Sequence, residues 1–364
     1  MLKALKIRLY PTKSQERYLN TSFNNCRCVY NLALQTKITA HRDYKISLSA
    51  YELSAQLPEL KEEFIWLKET KADAFQEELA NLDSAYKNFF RTKQGFPKFK
   101  NKSSKQSFTL KGCISVNSVK NLLSLSREHK IKFKCSSQYQ ELLRANKIRR
   151  VTISRDKTSA YYASCLIDDS RDLSLPKNTR HIGIDLGLKS FLTTSEGVQI
   201  ENPRYLKKSL IKLDTLQRRH SKKKKGSKNK EKGRLILAKR YKKVTNQRND
   251  FLHKVSKRLI DDSQIISIET LSVKDMLTKE LSRSISDASW SRFIEFLKYK
   301  SVWYGREIKQ IGRYIPSSKT CSSCGWVDKD QTLADRIFKC RECGYEEDRD
   351  LNAAKNIKKF SLLI

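Results

Sequence analysis

His181-Ile182-Gly183-Ile184-Asp185-Leu186-Gly187 is the stretch on which the reading of this chain turns. It is short, apolar and rich in isoleucine, which predicts a buried strand. A pleat of period two puts Ile182, Ile184 and Leu186 on one face and Gly183, Asp185 and Gly187 on the other. One carboxylate therefore stands away from the core between glycines, whose missing side chains leave room for a metal and a phosphate backbone. Residues 191–200, with the turn Ser195-Glu196-Gly197, read as the hairpin that follows. Farther along, Gln264-Ile265-Ile266-Ser267-Ile268-Glu269 predicts a second buried strand that ends in a carboxylate, at a sheet edge open to solvent or a ligand. An amphipathic helix is expected around Asp287 to Tyr304 and a strand from Glu307 to Ile311. A last helix begins at about Asp350, where Ala353 and Ala354 allow tight packing on a sheet.

Taken in order, residues 181–364 give three strands, a basic helical stretch, a strand, a helix, a strand, a cysteine-bearing insert at 317–347 and a final helix. That order fits a ribonuclease-H-like α/β domain. Upstream, a strand over residues 3–10 ends at Pro11. Thr12 with Gln15 has capping-box spacing, and Leu19, Phe23, Cys26 and Tyr30 then recur at helical intervals. A second helix is expected from Lys71 to Phe90, with Phe75, Leu79, Leu82, Tyr86 and Phe90 on one core-facing side. After Gln94-Gly95-Phe96-Pro97-Lys98-Phe99-Lys100 the pattern becomes short alternating segments, including residues 130–134 and 159–164. The expected organisation is a β-domain from residues 1–12 and 94–170, with a helical block, 13–93, inserted in it. A boundary at Asp168–Arg180 then leads into the domain at 171–364.

The 364 residues carry 75 Lys and Arg against 39 Asp and Glu, a net charge of +36, which asks for a polyanion and points to nucleic acid. No run approaches the roughly 18 apolar residues that span a bilayer, and the N-terminus lacks a signal-peptide h-region. No membrane partner is expected. Four of the nine cysteines sit together near the C-terminus, while Cys26, Cys28, Cys113, Cys135 and Cys165 are scattered and read as small core residues. That usage fits a reducing cytoplasm. Between Arg204 and Arg258 stand 22 Lys and Arg against three acids. The stretch reads as two basic helices around a mobile lysine-rich connector. Lys222, Lys223, Lys224, Lys225, Lys228, Lys230 and Arg240 are the candidate contacts to phosphates; the alternative for Lys222–Lys225 is a solvated helix end.

Cys321-Ser322-Ser323-Cys324, fifteen residues, then Cys340-Arg341-Glu342-Cys343 is the spacing of a four-thiolate zinc site. Four thiolates fill the coordination sphere and leave no position for water, so this zinc is structural. Asp185, Glu269 and Asp350 form the second constellation, on strand, strand and helix. Their hard oxygen ligands suit two Mg²⁺ ions about 3.5–4 Å apart, which implies metal-assisted phosphodiester hydrolysis. Asp348 is a competing ligand, ranked below Asp350.

The ordered set Gly183-Ile184-Asp185-Leu186-Gly187, Ile268-Glu269-Thr270-Leu271, Asp287-Ala288-Ser289-Trp290, the two cysteine pairs and Asp348-Arg349-Asp350-Leu351-Asn352-Ala353-Ala354 resembles the TnpB (OrfB) proteins of bacterial insertion sequences, relatives of type V CRISPR effectors. The resemblance implies an RNA-guided DNA endonuclease with a RuvC-type site at Asp185, Glu269 and Asp350. Its partners would be a guide RNA encoded by the mobile element and double-stranded target DNA. It also implies that the N-terminal half is a wedge-like β-domain with a helical recognition insert, and that 317–347 is a zinc ribbon. Thr270 departs from the Asp or Asn that commonly follows the glutamate. The alternatives are a non-cleaving nucleic-acid-binding regulator and an RNA-independent transposase accessory protein.

Overall fold

The structure is a computed structural model that describes residues 1–92, 95–112, 114–117, 119–276, 281–332 and 335–363. Cys113 and Gln94 lie outside the described residues. Two units, Met1–Arg171 and Asp172–Ile364, each hold a sheet and a core of their own.

In the first unit the order is β1 (Leu2–Tyr10), α1 (Lys13–Tyr44), α2 (Ala50–Ala55), α3 (Leu57–Glu63) and α4 (Ala72–Thr92). There follow β2 (Gln106–Leu110), β3 (Ser115–Asn117), β4 (Leu122–Ser124), β5 (Lys130–Lys134), α5 (Ser137–Ala145), β6 (Ile148–Arg155) and β7 (Tyr161–Asp168). The strands form one antiparallel sheet in the order β2-β6-β7-β1-β5-β4-β3, with β1 between β7 and β5. Alternation along β1 buries Leu5, Ile7 and Leu9, and also Lys3, whose Nζ lies 2.8 Å from Asp169 Oδ2. Thr12 caps α1 with both halves of the capping box made. The α1 face Leu19, Phe23, Cys26 and Tyr30 enters the core as its spacing requires.

On α4 Phe75, Leu79 and Leu82 do so, and half-buried Tyr86 packs against the core's edge. Phe90 is 74% exposed, and with Phe89 and Phe96 it joins Tyr86 in a cluster of rings. Cys26 and Cys165 are buried, whereas Cys28 and Cys135 are half-buried.

The second unit runs β8 (His181–Leu186), β9 (Ser190–Thr194), β10 (Gln199–Glu201), α6 (Tyr205–Ser221), α7 (Lys228–Asp262) and β11 (Ile265–Glu269). Then come α8 (Val273–Met276), α9 (Ser282–Ala288), α10 (Trp290–Tyr304), β12 (Glu307–Ile311), β13 (Ile337–Lys339), β14 (Glu346–Asp348) and α11 (Arg349–Phe360). Five strands make a mixed sheet, β10-β9-β8-β11-β12, in which β8, β11 and β12 are parallel and the β8-β9-β10 meander is antiparallel. Ile182, Ile184, Ile266 and Ile268 pack in one core with Leu252, Val255 and Leu259 of α7 and Phe293 and Leu297 of α10.

The other face of β8 carries α11. A Cβ on Gly183 would lie 2.1 Å from the Ala354 carbonyl oxygen and 2.6 Å from the Lys358 nitrogen, and one on Gly187 would meet Ser190 O at 2.8 Å. The glycines beside Asp185 therefore do not open room for a phosphate backbone. Gly183 admits a helix and Gly187 a tight hairpin.

One further expectation changes. The helix expected over 287–304 is divided at Ser289, which sits in the left-handed region (φ 57°) between α9 and α10. The lysine-rich connector forms a hydrogen-bonded turn over 222–227: Lys222 N–H donates to Arg218 O, Ser227 N–H donates to Lys224 O, and Gly226 takes φ 81°. Substituting Gly183→Ala should force α11 off the sheet and lower the unfolding free energy by about 1–3 kcal/mol, as overpacking does. Urea titration of the variant against the parent measures it; an unchanged midpoint would mean that the helix does not rest there.

Candidate functional site

The last register pair between β8 and β11 is Ile184 with Ile268, and the next residue on each strand is a carboxylate, Asp185 and Glu269. Parallel pairing thus sets two acids, 84 positions apart in the chain, side by side at one edge of the sheet. The third comes from α11, which the bare backbone of Gly183 lets down onto the same face. Asp348 is the N-cap of that helix and accepts from the backbone N–H groups of Asp350 (3.0 Å) and Leu351 (3.1 Å). Its carboxylate is spent on the helix end, while Asp350, in the first turn, turns to the other acids.

Burial first, then the charges of Glu269 and Asp350, push the Asp185 carboxyl up to about 8. Asp348 adds to this, and the Arg349 guanidinium opposes it. Arg349 Nη2 donates to Asp350 Oδ1 at 3.1 Å, and both side chains are largely buried. Glu269 is also raised, mainly by burial, against which the Ser317 hydroxyl donates a hydrogen bond to Oε1. Thr270, the departure from the family pattern, donates its hydroxyl to Ile311 O at 2.8 Å and ties the ends of β11 and β12 together.

The cysteines converge from two matching knuckles. Cys321 N–H donates to Trp326 O and Cys340 N–H to Tyr345 O, with Gly325 (φ 86°) and Gly344 (φ 69°) closing the turns. The Sγ atoms of Cys321 and Cys343 are 3.7 Å apart and those of Cys324 and Cys340 3.6 Å. The edge of a ZnS₄ tetrahedron with Zn–S of about 2.3 Å is about 3.8 Å, so the four thiols fit zinc. Among the described residues they are the group whose ligand atoms all lie within 4.8 Å of one another, and the three acids stand farther apart.

This zinc-ribbon-like module is fastened to α11 by two asparagines one turn apart. Asn352 Nδ2 donates to Thr320 O at 2.8 Å while its Oδ1 accepts from Ser322 N–H at 2.9 Å. Asn356 Nδ2 donates to Ser317 O at 2.9 Å and Thr320 O at 2.5 Å. The residue between these anchors and the acid cluster is Ser317, which holds Glu269. Reading the sequence missed Ser317, Arg349, Asn352 and Asn356. The i, i+4 spacing of the two asparagines, with Ala353 and Ala354 between them, was the available signal for two of them.

The basic candidates lie on the α6–α7 hairpin and are not equivalent. Lys222, Lys224, Lys225 and Lys228 are exposed and unpaired among the described residues. Lys223 and Lys230 are half-buried and donate to backbone carbonyls within the turn, and Arg240 is half-buried.

The proton on Asp185 fixes a pH dependence. Its folded pKa of about 8 stands above the ordinary 3.8, so between those values the native state holds a proton that the unfolded chain releases. In chelator-treated protein stability should fall as pH rises through this window, and Asp185→Asn should flatten the fall. Thermal melts across the window test it; an equally steep decline in the variant would contradict it.

A family model described as "Probable transposase" matches residues 164–280, one described as "Cas12f1-like, TNB domain" matches 290–357, and a "Helix-turn-helix domain" model matches 1–45. The last of these residues form one strand and one long helix. The "Putative RNA-guided DNA endonuclease" of Streptomyces pristinaespiralis is 35% identical over 98% of this chain and 88% of its own length. The "Putative RNA-guided DNA endonuclease InsQ" of Escherichia coli is 28% identical over 98% and 91%. In structure the chain resembles the protein of a cryo-EM Cas12f1–sgRNA–target DNA complex, with a TM-score of 0.56, 16% identity and 98% coverage of both chains. That likeness concerns the fold. Identity sustained along the whole length at 35%, with the motifs in their order, shows that the chain belongs to the TnpB (OrfB) family of insertion-sequence proteins.

Proposed function

We propose that this protein is an RNA-guided DNA endonuclease whose Asp185, Glu269 and Asp350 form a RuvC-type, ribonuclease-H-like site for phosphodiester hydrolysis. The observation that carries the reading is the concentration of three carboxylates from β8, β11 and α11 at one sheet edge, where burial first and the neighbouring acids next raise Asp185 to about 8. The strand order β10-β9-β8-β11-β12, with an antiparallel meander beside parallel strands, supports the same domain reading.

The donor set fits Mg²⁺: hard carboxylate oxygens whose repulsion is relieved within the chain by Arg349 alone among the cations that act on Asp185. Asp185, Glu269 and Asp350 would hold it. When bound, Mg²⁺ supplies positive charge to the phosphoryl oxygens and lowers the pKa of water. The chain's own groups do the rest. Ser317 keeps Glu269 turned inward, Asp348 fixes the first turn of α11, and Arg349 holds one oxygen of Asp350. Zn²⁺ bound by Cys321, Cys324, Cys340 and Cys343 is structural in this reading, because all four positions are thiolate. It stiffens the module that carries Ser317.

A guide RNA and a double-stranded DNA target are the partners, held through phosphates by a chain of net charge +36. No helix among the described residues is long and apolar enough to cross a membrane.

Sequencing the RNA that copurifies when the protein is expressed with its flanking locus should yield one structured species with a variable end. Programmed with that RNA, the protein should cut matching DNA, and Asp185→Ala should abolish cutting while RNA stays bound. Cutting by that variant at the parent rate would refute the site. Replacing Lys222, Lys224, Lys225 and Lys228 with alanine should flatten the salt dependence of DNA binding by about 3–4 in log–log slope if all four meet phosphates. An unaltered slope makes them bystanders.

A further inference from the structure

Residues 49–70, in the helical part of the first unit, are an acidic island in a chain of net charge +36: Glu52, Glu59, Glu62, Glu63 and Glu69 stand there against Lys61 and Lys68. Glu52 spends its carboxylate on the cap of α2, where it accepts from the Ser49 N–H at 2.6 Å and the Ser49 hydroxyl at 2.7 Å. The Lys61 ammonium lies over the Phe75 ring, 5.3 Å from its centre. Glu59, Glu62, Glu63 and Glu69 are exposed, and none forms an ion pair among the described residues. A protein with 75 lysines and arginines leaves these four acids unneutralised.

The same segment closes one side of an apolar groove of about 250 Å³. Buried Val29 of α1, Leu53 of α2, Leu57 of α3 and Leu79 of α4 make its floor. Leu32, 39% exposed, and half-buried Leu60 stand at its lips. Glu59 and Glu63, one turn apart on α3, supply the charge of the wall, and no lysine or arginine lines it among the described residues.

Apolar floor and acidic rim together select the occupant. The volume falls below the roughly 300–1,000 Å³ of small-molecule pockets, so the groove suits anchoring side chains rather than a cofactor. Phosphates of a nucleic acid or of an anionic lipid surface are repelled by the rim. A second copy would bring another +36 to the contact. A single helix brings only a few cations, and at physiological ionic strength screening over about 8 Å makes it answer to the rim rather than to the net charge of the chain. An amphipathic helix with an apolar stripe flanked by lysine or arginine matches both features.

We propose that this groove is a protein-docking site for a basic amphipathic helix of a partner protein, with the partner's apolar stripe against Leu32, Leu57 and Leu60 and its cations at Glu59, Glu62 and Glu63. The inference stands apart from the nuclease reading, since it uses no residue of the second unit.

The test uses the full chain, freed of RNA, and a synthetic leucine–lysine peptide in amphipathic helical register that carries an uncharged fluorophore. Fluorescence anisotropy at physiological ionic strength should show saturable, micromolar binding. The triple variant Glu59→Gln, Glu62→Gln, Glu63→Gln should weaken it about tenfold, the combined effect of three surface ion pairs. Leu32→Asn should weaken it by about the same factor through lost apolar contact. Melting temperatures of both variants should match the parent's, since the altered side chains are exposed. Hydrogen exchange should show protection by the peptide over residues 29–36 and 53–63. No saturable binding, binding unchanged in the variants, or protection confined to other segments overturns the proposal. Sedimentation of the chain without peptide should reveal no association that the triple variant dissolves; such an association would assign the groove to a second copy and overturn the proposal as well.

Discussion

The backbone of α11 lies against the backbone of β8 with no side chain between them at Gly183, and the rest of the second unit is arranged around that contact. A helix packed this closely brings its first turn to the sheet edge where β8 and β11 end. Asp350 is therefore delivered to Asp185 and Glu269 without a long loop to hold it. Ala353 and Ala354, buried on the same helix, keep the approach close, and Asn352 and Asn356 carry the cysteine module as a rigid attachment. A loop would lose this geometry to its own conformational freedom. Helix and strand keep it because their backbone bonds are already made.

That contact has an electrostatic cost. Three carboxylates share a half-buried site, and burial first, then the neighbouring charges, push the Asp185 carboxyl toward its protonated form. The chain offsets part of this locally, through Arg349 on Asp350 and the Ser317 hydroxyl on Glu269. It leaves a remainder for a cation. In a protein with 75 basic residues, negative charge is here concentrated against the general field.

Asp287-Ala288-Ser289-Trp290 gains a physical meaning from the same unit. Asp287 caps α6 and pairs with Arg248 of α7, Ser289 turns the chain in the left-handed region, and Trp290 is buried. The motif is a corner that fastens the basic hairpin to the sheet-covering helices. Removing the Asp287 carboxylate would leave two backbone donors and a largely buried guanidinium without a partner. Its contacts set where the hairpin's helices stand.

Periodicity and spacing made much of this legible in one dimension. The β8 pleat, the capping box at Thr12, the limits of β5 and the paired cysteines depend on residues a few positions apart, and local sequence encodes local geometry. So were the places of Asp185, Glu269 and Asp350, because each sits at the end of an element that its neighbours specify. What the sequence did not disclose is what meets what across long separations. The glycines flanking Asp185 read as room for a ligand and turned out to hold a helix and a hairpin. Lys223 and Lys230, alike in sequence to their neighbours, spend their ammonium groups on the turn. Ser317 and Arg349 are ordinary polar residues until packing fixes their surroundings. Sequence by itself determined where carboxylates, thiols and cations stand along each element, since side-chain type and short-range pattern are written there. Tertiary structure decided which of them act together, because burial, repulsion and contact depend on distances through space that the chain's order does not contain.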